Sequence, residues 1–249
     1  MLSTLRHRRL FHLITGKWSY LLAASIMMTV AGCTSIGPSG VQPDIDLGPA
    51  VEVRVGIYKD INVTDQQAAG IIAALQKEFA QYGLIIRVPY IREWQRPAFK
   101  HQGILRDIAE RPLEPPVDRI LALVGRDMGD FLWGSLLPEV LGAVETRTHT
   151  KGYVVAEIGS LNQLLTFKSP QKAAVHEFYH MLGIDHMDGR QTINKKISRL
   201  KGLAIENRQS GRDFFPGIGA NGNLYLSRKA VNHQFGRNPD NTTASLAKP

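Results

Sequence analysis

The sequence predicts an α+β domain. Three observations lead to that class: a strand–helix–strand opening, a short wholly apolar run followed by a hairpin signal, and a later helix whose polar positions are spaced for chemistry. Val51-Glu52-Val53-Arg54-Val55-Gly56-Ile57 alternates apolar and other residues, as a strand with one covered face requires. Thr64-Asp65 then caps a helix that runs to about Tyr82, with Ile71, Ile72, Leu75 and Phe79 on one face. Gly83 ends it, and Leu84 to Tyr90 reads as a second strand.

Residues 91–117 are mixed. Ile104 to Ala109 suits a short helix, and Pro112, Pro115 and Pro116 break what precedes them. Arg119 to Gly125 is apolar enough for a strand buried on both faces. Leu141 to Thr146 and Tyr153 to Ile158 form a hairpin signal around a polar turn through Thr150-Lys151-Gly152. Ser169 or Pro170 opens the next helix, which carries residues 176–182. Thr192 to Ala204 places Ile193, Ile197, Leu200 and Ala204 on one face, with Lys195, Lys196, Arg199 and Lys201 opposite. That pattern reads as a solvated amphipathic helix, or as a basic helix lying on anionic headgroups. The end of the chain, 237–249, is polar and reads as a disordered tail.

Residues 176–186 read His-Glu-Phe-Tyr-His-Met-Leu-Gly-Ile-Asp-His. On a helix, positions i and i+4 lie about 40° apart around the axis, so His176 and His180 share a face and can grip one ion. Glu177 sits one step round, within reach of a water beside that ion without being a ligand. Gly183 can adopt positive φ cheaply, which stops the helix and turns His186 back toward the same point. Three neutral imidazoles with a vacant fourth position make a catalytic rather than a closed structural zinc site. Composition alone would produce the whole string in the order of 10⁻⁵ of such chains, so coincidence does not account for it. His101, His149 and His233 stand alone and read as surface or structural residues. Asp185 is a candidate partner for a ligand histidine, and Asp188-Gly189 reads as turn chemistry.

This string resembles the extended signature of the metzincin zinc metallopeptidases. The resemblance implies a zincin-like domain, with a mixed, mostly parallel, twisted sheet and a central active-site helix, over residues 50–236. It implies one catalytic Zn2+, with His176, His180 and His186 as ligands and Glu177 as general base, and a peptide or protein substrate. Extended substrate would pair with an edge strand, either Leu141–Glu145 or Tyr153–Glu157. Metzincins carry a methionine turn beneath the metal, but here the last methionine is Met187. Asn223-Leu224-Tyr225 is the candidate for a diverged turn, with Tyr225 as a transition-state stabiliser. Residues 119–186 also look like archaemetzincins, although no cysteine follows His186 and a second zinc is not expected. A zinc-bearing protein that binds a partner or cell-wall component without hydrolysis is the alternative, as is hydrolysis of an amide in a wall peptide.

The beginning of the chain reads as an export signal. Basic residues precede an apolar run from Trp18 to Val30, too short to suit a membrane span. Val30-Ala31-Gly32-Cys33 resembles the bacterial lipobox, which implies a signal peptide over 1–32 and lipid on Cys33. Thr34 in place of aspartate favours the outer membrane, and Arg8-Arg9 resembles a twin-arginine signal. Residues 33–49 then read as the lipidated cysteine and a flexible Gly-, Pro- and Ser-rich tether. Cys33 is the only cysteine, so the domain has no internal disulfide and no thiolate to cap a metal. The formal charge of +8 falls to +4 without the first 32 residues, which does not indicate nucleic acid. Oligomeric state leaves no trace in the sequence.

Overall fold

The computed structural model describes residues 36–37, 45–97, 100–126, 140–157, 169–213, 217–218, 224–225 and 227–236. In order the elements are β1 (Val51–Asp60), α1 (Asp65–Ala80), β2 (Leu84–Arg87), β3 (Ile91–Trp94), α2 (His101–Glu110), β4 (Arg119–Val124), β5 (Gly142–Val144), β6 (Lys151–Val155), α3 (Pro170–Met181), α4 (Arg190–Gln209), β7 (Gly217–Ile218), β8 (Leu224–Tyr225) and α5 (Arg228–Gln234).

Among the described residues six strands form one open sheet in the order β2-β1-β4-β6-β5, with β3 following β2 along the same edge of β1. All its pairings are parallel except β5 with β6. The expected strand Leu84–Tyr90 is therefore two. Pro89 has no N–H to donate, so the ladder breaks there and resumes at Ile91. β4 shows how the layers form. Leu121 and Leu123 join a cluster with Val53, Val55, Phe79 and Phe178, whereas Ile120, Ala122 and Val124 join a second with Ile104, Ile108 and Val231. Helices α1, α3 and α4 thus cover one face, and α2 and α5 the other. The arrangement is mixed α/β, with a mostly parallel open sheet and five helices among the described residues, and it is compatible with the expected zincin-like domain.

α1 begins as its sequence indicates. Thr64 accepts the Gln67 N–H at 3.2 Å, and the Gln67 side chain returns to the Thr64 N–H at 2.7 Å. The hairpin differs from expectation, because Lys151 and Gly152 lie in β6 and the turn runs over residues 145–150. Glu145 organises that turn by accepting from the N–H groups of Arg147, Thr148 and Thr150 at 2.9–3.1 Å. Lys151 is buried instead, donating to the Ala109 and Arg111 carbonyls that end α2. Lys201, expected on the polar face of α4, is 2% exposed. Its ammonium reaches the Tyr82 carbonyl at 3.0 Å and the Gly48 carbonyl at 3.1 Å. No helix among the described residues is long and apolar enough to cross a membrane.

Candidate metal centre

α3 carries the motif and is closed at both ends. Ser169 accepts the Lys172 N–H at 3.2 Å, and Pro170 occupies the first turn, where a missing N–H costs nothing. At the far end Gly183 takes φ 77°, the Gly183 N–H bonds the His180 carbonyl at 2.8 Å, and the Ile184 N–H bonds the Tyr179 carbonyl at 3.1 Å. This is a Schellman turn, and Ile184 and Tyr179 bury the apolar contact that goes with it. The Met181 carbonyl accepts from the fully buried Arg119 Nε at 3.0 Å, which ties the helix end to β4.

That turn brings the three histidines together. Their ring centroids lie 4.8, 5.2 and 4.4 Å apart, and their candidate ligand atoms all fall within 4.8 Å of one another. His176 Nε2 and His180 Nε2 are 3.2 Å apart. Two nitrogens held by one zinc at a tetrahedral angle would be about 3.3 Å apart. The other ring nitrogens face carbonyl oxygens: His176 Nδ1 donates to Ile36 O at 2.5 Å, and His180 Nδ1 to Ile184 O at 2.8 Å. A carbonyl only accepts, so each Nδ1 keeps its hydrogen and each Nε2 keeps its lone pair for a metal. Among the described residues, His186 Nε2 is buried without a hydrogen-bond partner. Burial also favours neutral rings, driving His176 down from the usual imidazole range and His180 down to about 4. The donor set therefore fits zinc.

Glu177, one step round the helix from His176, lies against the edge strand. A Cβ placed on Gly142 of β5 would lie 2.5 Å from Glu177 Cγ and 3.0 Å from its carboxyl carbon. Burial raises the Glu177 carboxyl to about 7, and a cation at the histidines would pull it back. Among the described residues β5 is the sheet edge, whereas β6 lies between β4 and β5. Of the two expected cleft-lining segments, the one at Leu141–Glu145 thus holds that place.

Other candidates fall out as follows. Phe178 and Tyr179 are fully buried in the core. Asp185 accepts the Met187 N–H, and Asp188 accepts the Asp185 N–H at 2.7 Å while pairing with Lys196, so both carboxylates serve the turn before α4. The backbone of Tyr225 in β8 pairs with Gly217 of β7, but its side chain and Cys33 fall outside the described residues, as do 237–249. His149, read from sequence as isolated, has φ 56° and donates from Nδ1 to the His180 carbonyl at 3.1 Å. It braces His180 from the hairpin, a role that nothing in its sequence neighbourhood marks. Ile36 and Gly142 were equally silent, since one acts through its backbone and the other through the lack of a side chain.

No protein-family model matches this sequence, and no curated protein matches it. Among solved structures, the chain is similar to a crystal structure of archaemetzincin from Methanopyrus kandleri. The likeness has 14% sequence identity and a TM-score of 0.39, and covers 64% of this chain and 96% of that one.

Proposed function

We propose that this chain is a zinc-dependent peptidase, held in the cell envelope by lipid on Cys33. The observation that carries the reading is the 3.2 Å approach of His176 Nε2 to His180 Nε2, with both Nδ1 atoms committed to carbonyls and His186 Nε2 beside them, unpartnered among the described residues. A zinc ion held by these nitrogens supplies a Lewis acid that polarises a carbonyl and acidifies water.

The chain's own residues do the rest. Glu177, lodged against Gly142, takes the proton of the attacking water and hands it to the departing amine. The edge of β5, unpaired among the described residues, offers backbone donors and acceptors to an extended peptide, which suits recognition with little regard to side chains. Tyr225 is the phenol we assign to the developing negative charge. For localisation the support is Val30-Ala31-Gly32-Cys33 with Thr34, which favours the outer membrane.

The test combines metal analysis with turnover of a mixed peptide library. Glu177→Ala retains zinc and loses hydrolysis by several orders of magnitude, because the base goes while the ligands stay. An unaltered rate in that variant would exclude the assigned role. A second reading is a zinc-bearing lipoprotein that binds a partner or wall component without cleaving it. It draws on Met187, the last methionine, which is 91% exposed and forms no floor beneath the histidines. Zinc uptake without turnover of peptide or wall-derived amides would favour it.

A further inference from the structure

We propose that Ile36 is a positioning residue for the metal centre, its backbone carbonyl fixing the ring of His176 from a segment outside both sheet and helix. The two carbonyls that orient ligand rings have different origins. Ile184 O, which faces His180 Nδ1, comes from the turn that the motif itself builds, four residues away. Ile36 O, which faces His176 Nδ1 at 2.5 Å, comes from 140 residues upstream. His176 thus depends on a partner that its own helix does not provide.

The side chain of Ile36 explains why that carbonyl stays in place. It is 4% exposed and belongs to the same buried cluster as Val175 and Phe178 of α3. Its residue is therefore seated by apolar burial next to the ring it serves. The chain is pinned again before β1, where Leu47 packs on that cluster and Gly48 O accepts from Lys201. Anchoring an acceptor this way fixes the His176 tautomer and ring plane in the absence of metal, so the ligand is organised before an ion arrives. Partners of this kind are worth about 10–100-fold in metal affinity.

The inference rests on zinc binding by the three histidines, and its test separates the two. Full-length protein carrying Ile36→Ala, Ile36→Val or Ile71→Ala is titrated with zinc against a chromophoric chelator, with thermal unfolding of the zinc-free protein followed in parallel. Ile71 lies in the same cluster but on α1, so it reports loss of stability alone. Ile36→Ala weakens zinc binding about 10–100-fold, Ile36→Val stays within about threefold of the parent, and Ile71→Ala lowers the unfolding temperature without changing zinc affinity. Equal affinity in Ile36→Ala and the parent overturns the proposal, as does an equal loss in Ile71→Ala. Should Ile36→Ala not fold, Ile36→Thr replaces it, since it keeps the shape of valine and buries a hydroxyl. It is expected to bind about tenfold more weakly than Ile36→Val, and matching affinities overturn the proposal. A parent that takes up no zinc defeats the metal-site reading itself, whereas a zinc-binding parent with an indifferent Ile36 defeats only the positioning role.

Discussion

Glu177 and Gly142 occupy each other's space: the glutamate's Cγ lies where any larger residue at 142 would put its Cβ, with only 2.5 Å between them. The Tyr153 carbonyl stands 2.8 Å from the same point, so a side chain there has no alternative room. The edge strand and the proposed base are thus fitted to one another. Gly142→Ala should displace Glu177 while leaving the histidines and their carbonyl partners alone. The expected result is zinc content like the parent's and a fall in kcat of about 10²-fold, the scale of a displacement near 1 Å. Undiminished turnover in Gly142→Ala would show that Glu177 does not need its observed place.

Zinc itself should stabilise the fold, because three ligands on a helix and its exit turn are brought together only in the folded chain. Free zinc at about 1,000 times its dissociation constant adds about 4 kcal/mol, or roughly 8–16 °C in unfolding temperature for a domain of this size. Chelation should reverse the rise. His186→Ala should remove most of it, since that ring is the one the Gly183 turn exists to deliver. A rise of full size in His186→Ala would mean that two rings or other groups hold the ion.

Between the ligands, Tyr179 does a different job. Its hydroxyl donates to Glu78 Oε1 at 2.6 Å, and the Tyr82 hydroxyl lies 2.7 Å away, so Tyr82 donates to Tyr179. These bonds fasten α3 to α1 inside the core. Tyr179→Phe keeps the ring and loses both bonds, which should cost about 1–3 kcal/mol and lower the unfolding temperature by about 2–12 °C. Zinc affinity should not change. A change in affinity with unaltered stability would move Tyr179 from the scaffold to the site.

The histidine cluster was legible because its geometry is local. Helical spacing places His176 and His180 together, and one glycine returns His186, all within eleven residues. β1 and α1 were legible for the same reason, since alternation and a capping box are short-range signals. What escaped acts at long range or by subtraction. The segment 33–49 has the composition of a loose tether, yet Ile36 within it is buried against His176, and no sequence pattern marks a backbone acceptor 140 residues from its donor. α5 carries a single core residue, Val231, so it shows no apolar stripe to read. Lys201 reads as solvated because its type usually belongs there, and the helical pattern around it gives no hint of the two carbonyls it meets.

Lys201 gives a prediction with a sign. Burial lowers its pKa from the usual value of 10.5, partly offset by the Asp46 carboxylate. The unfolded chain therefore holds this proton more tightly than the folded one, and between the lowered pKa and 10.5 the folded protein gains stability as pH rises. In Lys201→Met that contribution vanishes, while the carbonyls of Tyr82 and Gly48 lose a donor. The variant should be less stable at neutral pH by about 1–3 kcal/mol. The gap between parent and variant should widen as pH climbs toward 10.5, because only the parent can shed the costly charge. Denaturant unfolding of both proteins across that interval measures it, and the difference cancels every other group that titrates there. A gap that narrows instead would mean that the buried ammonium is favoured in the folded state, so that its carbonyl partners outweigh the loss of water.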